Sequence, residues 1–338
     1  MTTRRWIRPR WLLQVPITIG FTLIGYRWYR VNRQRRTGEL PVPWPQWRVS
    51  LYASFPTRAA SRAFGSLADR PVPSSFRTPL YGLYAWLFNC DLSEAKCADF
   101  RDYPSFGEFF ARPLRDDARP ISESILIVPS DGTVHRCGRV KNGGKIEQVK
   151  GVDYSVPQLI GQEVTIADDK NAANALYFCT LYLAPGDYHG FHSPTDWTVQ
   201  LRRHIAGHLL SVRASLVDRI PQLLCVNERV ALIGRWSHGF LCLTAVGATN
   251  VGSIRIENDT LETNQKNVDF GAINDRNYEN CDFDDDNRAA RERGERLGEF
   301  RLGSSVVLLF EAPTSFQFAV SPGDKVRFGQ SLGFLRPD

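Results

Sequence analysis

Leu302-Gly303-Ser304-Ser305-Val306-Val307-Leu308-Leu309 decides how the rest of this chain is read. A Gly-Ser bond runs straight into an apolar, β-branched run, Val306 to Phe310, with the signature of a strand buried on both faces. A hydroxyl at Ser304 therefore sits where the backbone is stiff, and Gly303 leaves open space in front of the preceding carbonyl. Two readings follow. Gly303 is a glycine-marked bulge at a strand entrance, or the bond is built so that Ser304 attacks it and the chain cuts itself.

Strand-sized runs continue on either side of this segment. From Ile125 onward, short β-branched stretches alternate with Gly, Asp and Pro: Ile125–Val128, Thr133–Cys137, Ile146–Val149, Leu176–Leu183, Thr198–Ile205, Val230–Gly234, Phe240–Val246, Ser253–Ile256, Phe300–Leu302, Phe316–Val320 and Lys325–Phe328. That density of strands predicts a β-rich sandwich or barrel. Two segments, Val128–Val134 and Val320–Val326, echo each other as strand–turn–strand units. The second, with Gly329 to Gly333, resembles the hairpins of barrel-sandwich domains. Glu257 to Arg296 is a polar interruption that reads as a solvated, mobile connection.

The N-terminal third is helical in pattern, which makes the fold class α+β. Thr57 caps a predicted helix to about Asp69 with Ala60, Phe64, Leu67 and Ala68 on one face. Thr78-Pro79 opens a second, apolar all round through Phe88 and hence buried or lipid-facing. Asp91 with Glu94 and Ser105 with Glu108 have capping-box spacing. Residues 1 to 36 hold nine arginines and no acidic residue, so the formal charge of +6 belongs to the N-terminus and the remainder is slightly acidic. A nucleic-acid-binding body keeps its excess cations on the fold, which excludes that class here. Trp11 to Tyr26 is uncharged and flanked by arginines, which predicts a targeting segment followed by a membrane anchor or, as the competing reading, a presequence removed whole; the anchor is the reading favoured. The domain plan is 1–36 anchor, 37–123 linker and membrane-proximal helices, and 124–338 catalytic core.

Metals are not indicated. The seven cysteines form no C-x-x-C pair. Asp282, Asp284, Asp285 and Asp286 lack the glycine and closing glutamate of an EF-hand. His189 and His192, and His204 and His208, lack a third ligand for zinc. Asp131, His192 and Ser304 supply a carboxylate, an imidazole and a hydroxyl in one of the chain orders of a catalytic triad. A serine hydrolase using these three without self-cleavage is therefore open, although no G-x-S-x-G elbow is present. Asp131-Gly132 equally suits a tight hairpin turn. Leu224–Val230 contributes a polar break, Asn227-Glu228-Arg229, between apolar runs.

Several separate pieces in order resemble the phosphatidylserine decarboxylases of the mitochondrial type. They are Phe109-Phe110-Ala111-Arg112-Pro113-Leu114-Arg115, Pro129-Ser130-Asp131-Gly132, Gln148-Val149-Lys150-Gly151, Asp187-Tyr188-His189-Gly190-Phe191-His192-Ser193-Pro194, Asn227-Glu228-Arg229-Val230, Gly247–Ser253 and Leu302-Gly303-Ser304-Ser305, and the resemblance runs from about Leu51 to the C-terminus. Ser305 departs from the pattern, in which threonine is commoner, but keeps a hydroxyl.

The resemblance implies a proenzyme in which Asp131 orients His192 and His192 deprotonates Ser304. Ser304 then attacks the Gly303 carbonyl, and the resulting ester eliminates. This yields a β chain, 1–303, and an α chain, 304–338, that stay together as a heterodimer. What remains of Ser304 loses its amine and becomes an N-terminal pyruvoyl group, an electron sink for decarboxylation. His189 falls at the position of the general acid that reprotonates the product. The implied substrate is phosphatidylserine in a membrane and the product phosphatidylethanolamine. The implied setting is the mitochondrial inner membrane with the body facing the intermembrane space, and the implied assembly a homo-oligomer.

Overall fold

A computed structural model describes residues 42–140, 145–149, 152–163, 174–249, 253–278, 289–301 and 303–336. The predicted anchor at 1–36, the Asp282–Asp286 cluster and Leu302 lie outside the described residues. Residues from Pro43 onward form one compact unit.

Seventeen strands are described. They are β1 (Leu126–Ile127), β2 (Gly132–Arg139), β3 (Lys145–Val149), β4 (Val152–Ser155), β5 (Asn174–Leu183), β6 (Gly190–His192), β7 (Trp197–Ile205), β8 (Arg229–Trp236) and β9 (Gly239–Gly247), then β10 (Ser253–Ile256), β11 (Ile273–Asn277), β12 (Ala290–Arg291), β13 (Arg296–Arg301), β14 (Ser304–Pro313), β15 (Phe316–Phe318), β16 (Lys325–Val326) and β17 (Ser331–Leu335). A nine-stranded antiparallel sheet runs β11-β7-β8-β9-β14-β5-β2-β16, with β12 also on β7. Two three-stranded sheets, β1-β17-β15 and β10-β13-β6, and the β3-β4 pair complete the set.

β14 lies inside the large sheet, paired along its length with β5 and along most of it with β9. Side chains alternate across a strand. Val306, Leu308, Phe310 and Ala312 enter one hydrophobic core and Val307 and Leu309 enter the other, on the opposite face. The unbroken apolar run is thus explained by burial on both faces. The predicted sandwich or barrel is corrected in form: among the described residues there is no closed barrel, and one broad sheet is covered on each side by smaller elements.

The two echoing segments turn out to pair with each other. Leu126 and Ile127 lie opposite Gly333 and Ser331, while Gly132 and Thr133 lie opposite Val326 and Lys325. Asp131-Gly132 is therefore no hairpin turn. It carries the chain from one sheet to another, because β1 and β2 find their partners in the C-terminal segment rather than in each other. The interruption at 257–296 is only partly loop, since polar β11 adds an exposed edge strand to β7.

The helices differ from expectation mainly at their starts. The second predicted helix begins at Ser74 rather than Pro79, after Pro73, and runs to Phe88, where left-handed Asn89 ends it. Pro79 lies inside that helix. Only Tyr81 and Ala85 are buried. The Tyr81 ring stacks on Phe109 with centroids 4.9 Å apart, whereas Leu80, Leu83, Trp86 and Leu87 stay exposed, Trp86 to 77%. Thr57–Ala68 is helical as expected, but Pro56 rather than Thr57 occupies its cap. Ser105 caps the Phe106–Phe110 helix by accepting the Glu108 N–H at 3.2 Å. Asp91 caps only a turn, through Ser93 N–H at 3.0 Å. Phe88 seats against Gly186: a Cβ there would meet the Phe88 carbonyl oxygen at 2.0 Å, so this contact requires glycine.

Candidate active site

The Gly303–Ser304 bond borders a cavity of about 860 Å³ with a mainly apolar wall that includes Leu80, Leu83, Tyr84, Leu87, Phe106 and Phe110. Gly303 is left-handed, with φ 46°, so the chain turns just before the strand starts. Ser304 is fully buried between Leu183 of β5 and Gly247 of β9. Its Oγ has no hydrogen-bond partner among the described residues. A buried hydroxyl without a partner costs free energy, so this side chain is held for something other than stability.

His189 sits behind the cavity wall. Its ring centroid is 4.2 Å from that of Phe110, a wall residue. Its Nδ1 lies 2.8 Å from the Asp187 carbonyl oxygen. A carbonyl only accepts, so Nδ1 carries the proton of the neutral ring and Nε2 presents a lone pair, which is buried and without a partner. Burial, with a smaller push from Arg112, drives its pKa down to about 3. Its backbone carbonyl accepts Phe300 N–H at 3.0 Å, tying it to the strand that precedes the Gly-Ser bond.

His192 and Asp131 meet at Phe328 and are not among the residues that line the cavity. The His192 ring stacks 3.6 Å from Phe328. Asp131 Oδ1 accepts Phe328 N–H at 2.8 Å, and Oδ2 accepts Arg119 Nη2 at 2.7 Å. Asp131 and His192 thus share Phe328, but the carboxylate–imidazole hydrogen bond expected from the sequence is not made. The Gly294 carbonyl takes His192 Nδ1 at 2.9 Å and the Tyr188 hydroxyl takes Nε2 at 2.9 Å. By the same tautomer argument Tyr188 donates to the basic nitrogen. Burial holds the His192 pKa down at about 4. It raises that of Asp131, opposed by Arg119 and the Phe328 N–H. Ser304 Oγ accordingly touches neither imidazole nor carboxylate in this uncut chain.

Asn227-Glu228-Arg229, noted only as a polar break, holds the other side of Ser304. Asn227 donates to the Leu210 and Gly247 carbonyls at 2.8 and 2.9 Å and accepts Leu210 N–H at 3.1 Å. Gly247 is the register partner of Ser304. The signal was available: buried polar residues must be hydrogen-bonded, and three in a row between strands mark a junction. His204 and His208 do not converge, since His204 pairs with Glu228 at 2.8 Å and His208 stacks on Phe270. No cluster of three His, Cys, Asp or Glu suited to a metal occurs among the described residues.

An antiparallel β-fold with a buried, unpartnered serine behind a left-handed glycine, facing a large apolar cavity, defines a site made for an apolar substrate. Residues 106–334 match the family model for phosphatidylserine decarboxylase. The chain belongs to that family. It is 44% identical to the mitochondrial phosphatidylserine decarboxylase proenzyme of Rattus norvegicus, over 97% of this chain and 87% of that one. Identity to the proenzyme of Caenorhabditis elegans is 40%, over 97% and 84%. For proenzyme 1 of Saccharomyces cerevisiae it is 32%, over 90% and 77%.

Proposed function

We propose that this chain decarboxylates phosphatidylserine to phosphatidylethanolamine and carbon dioxide, after cutting itself between Gly303 and Ser304. The observation that carries the reading is the Ser304 hydroxyl, fully buried, without a partner, beside an apolar cavity and directly after a left-handed glycine. The pyruvoyl group implied by the family fits this position, because the orphaned Ser304 is the residue it is formed from. Once formed, its carbonyl supplies an electron sink for carbon dioxide loss from an α-amino acid headgroup.

The protein's own residues do the rest. His192 is the base for Ser304. It has to exchange its Tyr188 contact for the serine, and Asp131 stabilises the imidazolium that results. His189, with an unpartnered basic nitrogen behind the cavity wall, is the proton donor and acceptor of the decarboxylation. The apolar wall excludes water from the reacting carbon and accepts acyl chains. Leu80, Leu83 and Leu87 of that wall, with Trp86 on the same helix, are exposed in the free protein and suit a membrane surface from which the lipid enters. No helix among the described residues is long and apolar enough to cross a membrane. The arginine-rich N-terminus supports a mitochondrial inner-membrane anchor, with the body in the intermembrane space. The α chain, 304–338, contributes an interior strand of the large sheet, which supports its retention as a heterodimer with 1–303.

Intact mass of protein purified from its own membrane tests the reading. A fragment starting at residue 304 with a blocked terminus, together with carbon dioxide release from phosphatidylserine vesicles, is expected. A single unbroken chain that reacts with a fluorophosphonate would make it a serine hydrolase instead.

A further inference from the structure

The segment 113–119 ends beside Asp131 and was assigned no chemistry by its sequence. It is fixed to the 91–96 turn by two backbone bonds, Lys96 N–H to the Pro113 carbonyl at 2.9 Å and Arg115 N–H to the Glu94 carbonyl at 3.0 Å. This brings Arg119 against Asp131, with the guanidinium side chain only 7% exposed. One arm of that guanidinium donates to Asp131 Oδ2 at 2.7 Å and the other to Glu94 Oε1. The same Glu94 oxygen accepts Arg327 Nη1 at 2.7 Å. Arg327 and Phe328, whose N–H holds the second Asp131 oxygen, both belong to the segment that follows the Gly303–Ser304 bond.

We propose that Arg119 is a positioning residue of self-cleavage, fixing the Asp131 carboxylate between its own guanidinium and the Phe328 N–H, while Glu94 locks Arg119 in place and ties the setting to the C-terminal segment through Arg327. This rests on Asp131 acting in self-cleavage. A carboxylate gripped on both oxygens keeps one geometry. A carboxylate this deeply buried stays charged only while a cation remains beside it.

The charged and titratable groups around Asp131 are Arg119, Glu94 on the 91–96 turn, Asp187 and Tyr188 before β6, and His192 of β6, which shares Phe328 with it; Arg327 reaches Glu94. Arg119 holds the carboxyl in its charged form, whereas Glu94 and Asp187 oppose it. The two neighbours on the 91–119 side therefore predict shifts of opposite sign. Arg119→Ala leaves Asp131 without its cation and moves the acid limb of the self-cleavage rate upward by at least about one pH unit, a tenfold loss on that limb. Glu94→Gln removes the opposing charge, leaves Arg119 to Asp131 alone, and moves the limb downward.

The experiment follows cleavage of freshly synthesised full-length chain on denaturing gels, from about pH 3.5 to about pH 9 so that the acid limb is covered, for wild type, Arg119→Ala, Arg119→Lys, Glu94→Gln and Asp131→Asn. Opposite shifts for Arg119→Ala and Glu94→Gln, with most of the rate restored in Arg119→Lys, are expected. Equal slowing at every pH in both variants marks a merely structural role and overturns the proposal, as does an unchanged profile in both. If Arg119→Ala does not fold, Arg119→Lys and Glu94→Gln decide alone: a profile like wild type for Glu94→Gln overturns it. A wild-type chain that cuts while Asp131→Asn cuts equally fast refutes the role of Asp131 itself, a failure distinct from that of Arg119.

Discussion

Asn227→Ala is the most informative single perturbation, because it probes how the scissile serine is held without touching the chemistry. Asn227 is fully buried and makes three hydrogen bonds, two to carbonyls and one from Leu210 N–H. A neutral hydrogen bond contributes about 1 kcal/mol net, and a stranded buried group costs about 1–3 kcal/mol. Truncation is therefore expected to cost about 3 kcal/mol, and closer to 5 where the Leu210 N–H finds no water. That is a large part of the roughly 5–15 kcal/mol that keeps a domain folded. The measurement is urea unfolding in a Ser304→Ala background, so that both chains stay uncut. With a slope of about 3 kcal/mol per molar, the midpoint falls by about 1 M. In the Ser304 background the same variant cuts more slowly, since Gly247, the register partner of Ser304, loses its tether. Asn227→Asp is expected to be worse than Ala, because it turns a two-hydrogen donor facing two carbonyls into a buried charge. A loss under about 1 kcal/mol would refute the claim that this junction holds the sheet end at Ser304.

Ser304→Ala is expected to run as one full-length band without activity, and to melt no lower than an uncut wild-type chain, because the deleted hydroxyl has no partner to lose. Two bands from it would move the cleavage site elsewhere. His189→Ala should cut at the normal rate yet decarboxylate poorly, as a headspace carbon dioxide assay reads, and failure to cut would reassign the base. His189 and His192 titrate near 3 and 4 when folded, against 6.5 for a free histidine. Below 6.5 the unfolded chain takes up protons that the folded chain refuses, so stability falls as pH drops toward 4, by about 1.4 kcal/mol per pH unit for each ring. Asp131 and Asp187, raised by burial, add an opposite slope just above 3.8. Thermal melts from about pH 7 to about pH 5 check this, and a melting point that rises on acidification would contradict it. Trp86→Glu, at an exposed residue that does not line the cavity, should lower activity on phosphatidylserine vesicles, while activity on a short-chain, soluble phosphatidylserine survives; equal loss on both would refute a surface role.

Much of the fold was legible because strands buried on one or both faces announce themselves. Each run predicted as a strand from Ile125 onward became a strand or part of one, whereas apolar Leu223–Val226 is helical, and Val306–Phe310 took the interior position its lack of alternation demanded. Polar strands were not legible. β11, Ile273-Asn274-Asp275-Arg276-Asn277, has no apolar face to betray it and exists because the open edge of β7 offers it hydrogen bonds. The helix starts were misjudged where proline was taken as a boundary: Pro79 lies inside a helix whose packing, through Tyr81 and Ala85, outweighs the bond it removes. The site was legible by residue but not by pairing. Asp131, His189, His192 and Ser304 were all singled out; Ser304 lines the cavity, His189 packs on the wall residue Phe110, and Asp131 and His192 share Phe328. No sequence pattern could tell that a backbone carbonyl, Gly294, would take the imidazole nitrogen expected to meet Asp131.

That substitution bears directly on how the uncut chain is kept from reacting. Gly294 belongs to the segment that leads into β13, and β13 leads to the Gly303–Ser304 bond. His192 is thus orientated by the stretch of chain that its chemistry is to sever from β14. While Gly294 and Tyr188 occupy both ring nitrogens, His192 is not hydrogen-bonded to Ser304. With His192 as the base proposed above, cleavage requires the ring to change partners, and either that exchange or the acidity of Ser304 sets the pace. Tyr188→Phe, which empties the basic nitrogen of His192 at constant shape, separates the two: faster cutting follows if the exchange limits the rate. Cutting slowed at every pH would show instead that the Tyr188 hydroxyl serves the reaction.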